Sequence, residues 1–365
     1  MDRSAHLPSS LRALRAGLLG LCVALALGGC ATPRNAPNSP GAQAAAGAAG
    51  APAPPALRVP DRALEDRILA LDPERISEQD VRRTLAAGPT PRIILLHGGV
   101  PGTNLLMTSF GRFLSGMGYP DDRIRDPADR AWSQGPYGSS ERIAGEIAWH
   151  YEHDGVRPIL VGHSQGGIQA VKVLYELNGA FNEQVEVWNA QTDTPEQRTT
   201  ITDPVTGAQR PVVGLSVSLA AVVGAGGIAL AAPAHWSMAK RLHTVPNTTE
   251  EFIGFIIDFD LIAWTGPDSS GYEHNGPATV RNVHLPASYN HVFVPVTQSL
   301  AGDAAMRDWI NAYVPGRDNG EPPGDNEGRA ANALFAADVW FSIKKHWCLE
   351  AQRLIGARRA RSATR

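Results

Sequence analysis

Short apolar runs alternate along this chain with longer stretches whose apolar residues recur every three or four positions. Arg92 to Leu96, Ile159 to Val161, Leu215 to Val223 and Phe252 to Ile257 are runs of the first kind, and the mixed run Val280 to Leu285 closes the series. They predict strands, because a strand covered on both faces needs apolar residues at nearly every position. Asn104 to Gly118 is of the second kind, with Leu105, Leu106, Phe110, Phe113, Leu114 and Met117 on one helical face. Ser139 with Glu141 to His153, Gly167 to Leu177 and Ala301 to Tyr313 read as helices in the same way. Asp61 to Leu85, with Leu64, Ile68 and Leu71 at helical spacing, predicts a helical lead-in. Asn332 to Ile355 predicts a further C-terminal helix, whose stripe of Phe335, Val339, Trp340, Ile343, Trp347 and Leu354 belongs against the core. Strand and helix in alternation predict an α/β fold, with a mostly parallel central sheet and helices on both faces.

Two stretches break the alternation. Val185 to Trp188 and Arg198 to Thr202 read as paired strands and Asp203 to Gly207 as a turn, so about residues 185–213 are expected to form a hairpin insertion. About residues 234–251 mix aromatic and polar side chains, and read either as a small lid over the entrance or as an ordinary surface helix. Residues 316–329 are a polar loop rich in Gly and Pro ahead of the last helix.

The first thirty residues add a different signal. Arg3, Arg12 and Arg15 precede an apolar core from Leu18 to Leu27, and Leu27-Gly28-Gly29-Cys30 comes next. A basic start, a short apolar run and small residues at a cleavage position predict an export signal over residues 1–29, too short to be a spanning helix. The run resembles a bacterial lipoprotein signal. That resemblance implies that Cys30 becomes the lipidated first residue, anchoring the chain in the cell envelope, and that Ala31 beside it directs it to the outer membrane, facing the periplasm. Without lipidation the expectation is a secreted protein. Residues 30–57, mostly Ala, Pro, Gly, Asn and Ser, cannot bury enough surface to order themselves and predict a flexible tether. The expected layout is then a domain over residues 58–315 and the loop with its C-terminal helix over residues 316–365.

Composition narrows the function classes. A net charge of −3 over 365 residues carries no signal for a polyanion, so nucleic acid is not an expected partner. Of three cysteines, Cys22 falls in the export signal and Cys30 is the expected anchor, which leaves Cys348 without an intramolecular partner and excludes a disulfide framework. His150 and His153 share a helix face with no third ligand at metal spacing, and no metal is expected. Gly224-Ala225-Gly226-Gly227-Ile228-Ala229 fits G-x-G-x-x-A formally. Pro233 interrupts the next segment and the run lies mid-domain, so it reads as a close-packed strand end, and no cofactor is expected.

The chemistry concentrates at Gly162-His163-Ser164-Gln165-Gly166, a G-x-S-x-G placed between a predicted strand and a predicted helix. There Ser164 sits on a tight bend with its hydroxyl exposed, and side chains at Gly162 and Gly166 would collide across strand and helix. The helix N-terminus aims N–H groups at the same spot and stabilises negative charge developing there.

With this elbow the chain resembles the α/β-hydrolase superfamily, in particular its secreted lipase- and esterase-like members, across about residues 90–315. The resemblance implies a serine nucleophile at Ser164 assisted by an acid and a histidine in the chain order Ser, acid, His. It implies an oxyanion hole built from the amide of Gln165 and from those of Gly99 or Val100 in the run His97-Gly98-Gly99. The histidine is expected in the loop after the last strand, which points to His291 over His284. Three carboxylates compete for the acid. Asp258 and Asp260 follow the run Phe252 to Ile257, and Asp268 follows if Leu261 to Thr265 is the strand instead; Asp260 is favoured, since a carboxylate just past a long apolar run needs a partner. The implied activity is cleavage of a small-molecule or lipid ester through an acyl-enzyme. An acyltransferase using the same site, and a non-catalytic binding lipoprotein of the same fold, are the alternatives.

Overall fold

In the computed structural model, residues 61–265, 269, 271–285, 290–324 and 327–363 are described. The expected export signal and tether, Cys30 and Asp268 lie outside them. Five strands form the central sheet: β1 (Ile93–Leu96), β2 (Ile159–His163), β3 (Val217–Val223), β4 (Thr249–Ile257) and β5 (Thr279–Leu285). All neighbouring pairs are parallel, and their order across the sheet is their order in the chain. The fold is α/β, as the alternation predicts.

The sheet separates two cores, and the pleat assigns residues to them. Ile93 and Leu95 of β1, Ile159 and Val161 of β2, and Ile253, Phe255 and Ile257 of β4 face one side. Ile94, Leu96, Leu160, Ala220, Val222 and Phe252 face the other. Burial on both faces is why these strands read as unbroken apolar runs. The first side is covered by α3 (Thr103–Gly116), by the lead-in and by the C-terminal helix; the second by α4 (Ser140–Asp154) and α5 (Gln165–Leu177). β1 is an edge strand, and the backbone of Gln134 closes its outer side with two hydrogen bonds, to His97 and Leu95, of 3.1 and 2.8 Å.

The lead-in is broken where its polar residues say it must be. Asp61 caps α1 (Arg62–Leu69), Asp72 and Pro73 start a single 3₁₀ turn, and Ser77 with Asp80 forms a capping box that opens α2 (Glu78–Arg83). Ala301 to Tyr313 is likewise divided, into α6 (Gln298–Gly302) and α7 (Ala304–Ala312), because Asp303 caps the second piece. The last helix, α8, runs further than its apolar stripe predicts, from Glu327 to Ala363, and buries Trp340 and Trp347 completely. Among the described residues no helix is long and apolar enough to cross a membrane.

Two expectations need correction. The insertion at residues 185–213 is two short hairpins, Trp188–Asn189 with Thr194–Pro195 and Thr200–Thr202 with Gln209–Pro211. Only Val187, bonded to Glu196 and Arg198, links the strands expected to pair, because Asn189, accepting from the amides of Gln191 and Thr192, turns the chain early. Residues 234–251 do not form a surface helix. They comprise a 3₁₀ segment (Pro233–Met238) with His235 and Met238 buried, a strand (Thr244–Pro246), and the start of β4.

Candidate active site

The elbow is built as its glycines require. A Cβ on Gly162 would stand 2.5 Å from the Gly166 carbonyl oxygen, and one on Gly166 would stand 2.3 and 2.5 Å from the carbonyl oxygens of Leu96 and His97. With only hydrogen there, β2, β1 and α5 close on one another. Ser164 takes up the bend at φ 56° and ψ −125°, a conformation that side chains adopt only when their surroundings hold them in it. Its N–H donates to Val223 on β3 at 2.8 Å, and α5 begins at the next residue.

His291, in the loop beyond β5, places Nε2 2.8 Å from the Ser164 hydroxyl. Its Nδ1 stands 2.5 Å from Asp260 Oδ2. The second oxygen of Asp260 accepts from the amides of Ile262 and Ala263 at 2.9 and 3.1 Å, so the loop after β4 fixes the carboxylate's direction. Burial works to raise the pKa of this carboxyl; the hydrogen bond and charge of His291, with those two amides, outweigh it and hold the group below the usual carboxylate range. Asp260 is therefore ionised at neutral pH. Asp258, two residues earlier, faces outward and meets the half-exposed His284 at 3.2 Å, so both rivals lie apart from Ser164.

Around this line of three residues stand further groups that hold it in place. Gly224, at φ +62°, lies against the imidazole: a Cβ there would sit 2.9 Å from both Cε1 and Nδ1 of His291. The apparent dinucleotide pattern thus has a steric cause, since Gly227 also lets the Ile262 carbonyl of the Asp260 loop approach to within 1.8 Å of where its Cβ would be. His163 donates Nε2–H to the carbonyl of His291 at 2.7 Å, and burial drives its pKa down to about 3, so it stays neutral. The side chain of Gln165 lies on Gly99, whose Cβ would be 1.7 Å from Oε1, and its amide donates to Nε2 of buried His235 at 2.9 Å. Burial, then the charge of Lys172, lowers the His235 pKa to about 4, which keeps that acceptor available. A G-A-G-G run hinted at close packing near Gly224; nothing local to His235 marks it.

The loop after β1 is held as firmly. Thr103 donates its hydroxyl to the carbonyls of Gly98 and Val100 at 2.6 and 2.7 Å, and Tyr137 donates to the carbonyl of Gly99 at 2.8 Å. With these carbonyls tied back, Gly98 lies against Ser164, where a Cβ would stand 3.2 Å from the serine Cβ, and the first amide of α5, that of Gln165, has no acceptor inside the helix. An imidazole between a hydroxyl and a carboxylate can take the hydroxyl proton while the carboxylate stabilises the imidazolium. Among the described residues no group of three or more His, Cys, Asp or Glu side chains is arranged to hold a metal ion.

No family model and no curated protein matches the chain. A solved structure described as "RedJ with PEG molecule bound in the active site" is similar at 19% identity, with a TM-score of 0.30, over 63% of this chain and 90% of that one.

Proposed function

We propose that the protein is a serine hydrolase that cleaves carboxylic esters through an acyl-enzyme on Ser164, in the manner of the α/β hydrolases. The observation that carries the proposal is the unbroken relay Ser164 to His291 to Asp260, with contacts of 2.8 and 2.5 Å, on the loops that follow β2, β5 and β4 at one edge of the parallel sheet. In the first half-reaction His291 Nε2 accepts the Ser164 proton as Oγ bonds to the ester carbon. The amides of Gln165 and of Gly99 or Val100 receive the negative oxygen. His291 then returns the proton to the departing alcohol as the carbon–oxygen bond breaks. Water attacks the acyl-enzyme by the same route in the second half-reaction, giving the acid and restoring Ser164. The N-terminal run of Arg15, Leu18 to Leu27 and Cys30 supports a place for this enzyme in the cell envelope.

A fluorophosphonate probe tests the proposal. It should label the wild-type chain and not Ser164→Ala, and the same substitution should lower kcat on p-nitrophenyl acetate by about 10⁶-fold. Folded wild-type protein that takes no label overturns the reading. Asp260→Asn should lower kcat by about 10⁴-fold through loss of the imidazole tautomer, while Asp258→Asn leaves it essentially unchanged.

A further inference from the structure

The amides proposed to receive the negative oxygen belong to different elements. That of Gln165 opens α5, while those of Gly99 and Val100 lie in the loop after β1, so no single hydrogen-bonded frame sets their separation. The side chain of Gln165 joins the two elements. Its Oε1 lies 1.7 Å, and its Cδ 2.8 Å, from the place a Cβ of Gly99 would take. Tyr137 holds the same glycine, donating to its carbonyl at 2.8 Å. A glutamine side chain has three rotatable bonds, so it serves as a spacer only if its far end is fixed. His235 fixes it: Gln165 Nε2 donates to Nε2 of this fully buried imidazole at 2.9 Å. The 3₁₀ segment that carries His235, Pro233–Met238, is tied to α5 a second time, by Lys172 Nζ donating to the carbonyl of Ala234 at 3.2 Å. Gln165 and Lys172 are seven residues apart, two turns of helix, so both ties leave one face of α5.

We infer that His235 is a positioning residue for the hydrolase reaction. Through the Gln165 side chain it sets the distance between the Gln165 amide and the Gly99 loop, and so the fit of the oxyanion hole to the transition state, a role that rests on reading Ser164 as the acyl-accepting nucleophile. The imidazole is a costly filler for its place. With Nε2 accepting, Nδ1 carries the proton, and among the described residues it has no hydrogen-bond partner. A buried donor without an acceptor destabilises a fold, and a leucine would pack here with no polar atom unpaired. The reason for a histidine therefore lies in its other nitrogen. Burial, then the charge of Lys172, lowers the ring's pKa to about 4, so Nε2 keeps its lone pair at neutral pH.

Steady-state kinetics of the full chain on p-nitrophenyl acetate, with melting temperatures of the same samples, test this role. His235→Leu should lower kcat about 10²-fold, as a misplaced donor does, with KM changed less than about twofold and the melting temperature little changed or raised. His235→Gln can bring an amide oxygen to the position of Nε2, and should recover kcat to within about tenfold of wild type. Gln165→Ala keeps the main-chain amide and removes the spacer, so it should reproduce the loss, and Gln165→Ala/His235→Leu should be no slower than either single variant. Wild-type kcat in His235→Leu overturns the inference. So does an equal fall in His235→Gln, or losses that multiply in the double variant as independent packing defects would. Wild-type kcat in Gln165→Ala overturns it too, whether or not His235→Leu folds. Fluorophosphonate labelling is read in the same samples: a wild type that labels while His235→Leu loses nothing refutes the positioning role alone, and a wild type that takes no label removes the hydrolase with it.

Discussion

At Gly224 a hydrogen atom stands where any other residue would put carbon against the imidazole of His291. The ring is held on three sides, by Ser164, by Asp260 and by this glycine, while His163 holds the main-chain carbonyl of His291. Gly224→Ala introduces a methyl group 2.9 Å from two ring atoms and imposes φ +62° on an alanine. Displacing the ring by a few tenths of an ångström is expected to lower kcat by about 10²-fold, with the acylation rate by a fluorophosphonate falling in step and the melting temperature moving little. The choice among acids illustrates what spacing alone leaves open. Asp258 and Asp260 both follow the same apolar strand, and only the turn that donates the Ile262 and Ala263 amides to Asp260 points that carboxylate inward. A two-residue offset in a loop has no sequence signature of its own, because loop direction is set by what the loop packs on.

The elbow works as an element, since its geometry is shared by a strand, a turn and a helix. Gly166 touches the backbone of β1 at Leu96 and the backbone of His97 just beyond it, so a side chain there separates the helix that follows Ser164 from the loop that carries Gly99. Backbone atoms cannot rotate away as a flexible side chain does. Gly166→Ala is therefore expected to destabilise the fold by about 3 kcal/mol or more, seen as a lower urea midpoint or as loss of soluble protein; a variant of wild-type stability would contradict the packing described. This element was legible in the sequence. Its glycines, its apolar strand and its helical spacing lie within a few residues of one another, and local sterics enforce each. The 185–213 insertion was less so: short polar hairpins have weak alternation, and their pairing depends on turns such as that at Asn189.

Across the whole molecule, α8 holds the sheet together from the side opposite the elbow helix. Glu251 of β4 meets His346, Lys345 and Arg281, and Asp338 pairs with Arg281 at 2.7 Å while accepting from Tyr313. Burial acts to raise the pKa of Glu251; its hydrogen bond with His346 and the charges of His346, Lys345 and Arg281 prevail and hold it down at about 2. A carboxyl whose pKa is depressed on folding stabilises the protein above its ordinary value of 4.5, and the contribution is lost as pH falls from there toward 2. The loss is on the order of 3 kcal/mol. Urea midpoints measured across this window should fall steeply for the wild type and less steeply for Glu251→Gln, which starts lower at neutral pH. Parallel curves would show that another group dominates acid unfolding.

The amino-acid sequence alone determined the α/β layering, the elbow at Ser164 and the helical stripe of α8, because each depends on residues near one another in the chain and on a period that burial dictates. Tertiary structure alone decided which carboxylate meets His291, that Gly224 clears its ring, and that His235 holds Gln165. Those are meetings between segments tens to more than a hundred residues apart, and no local pattern encodes them; they exist only once the parallel sheet brings the ends of its strands to one edge.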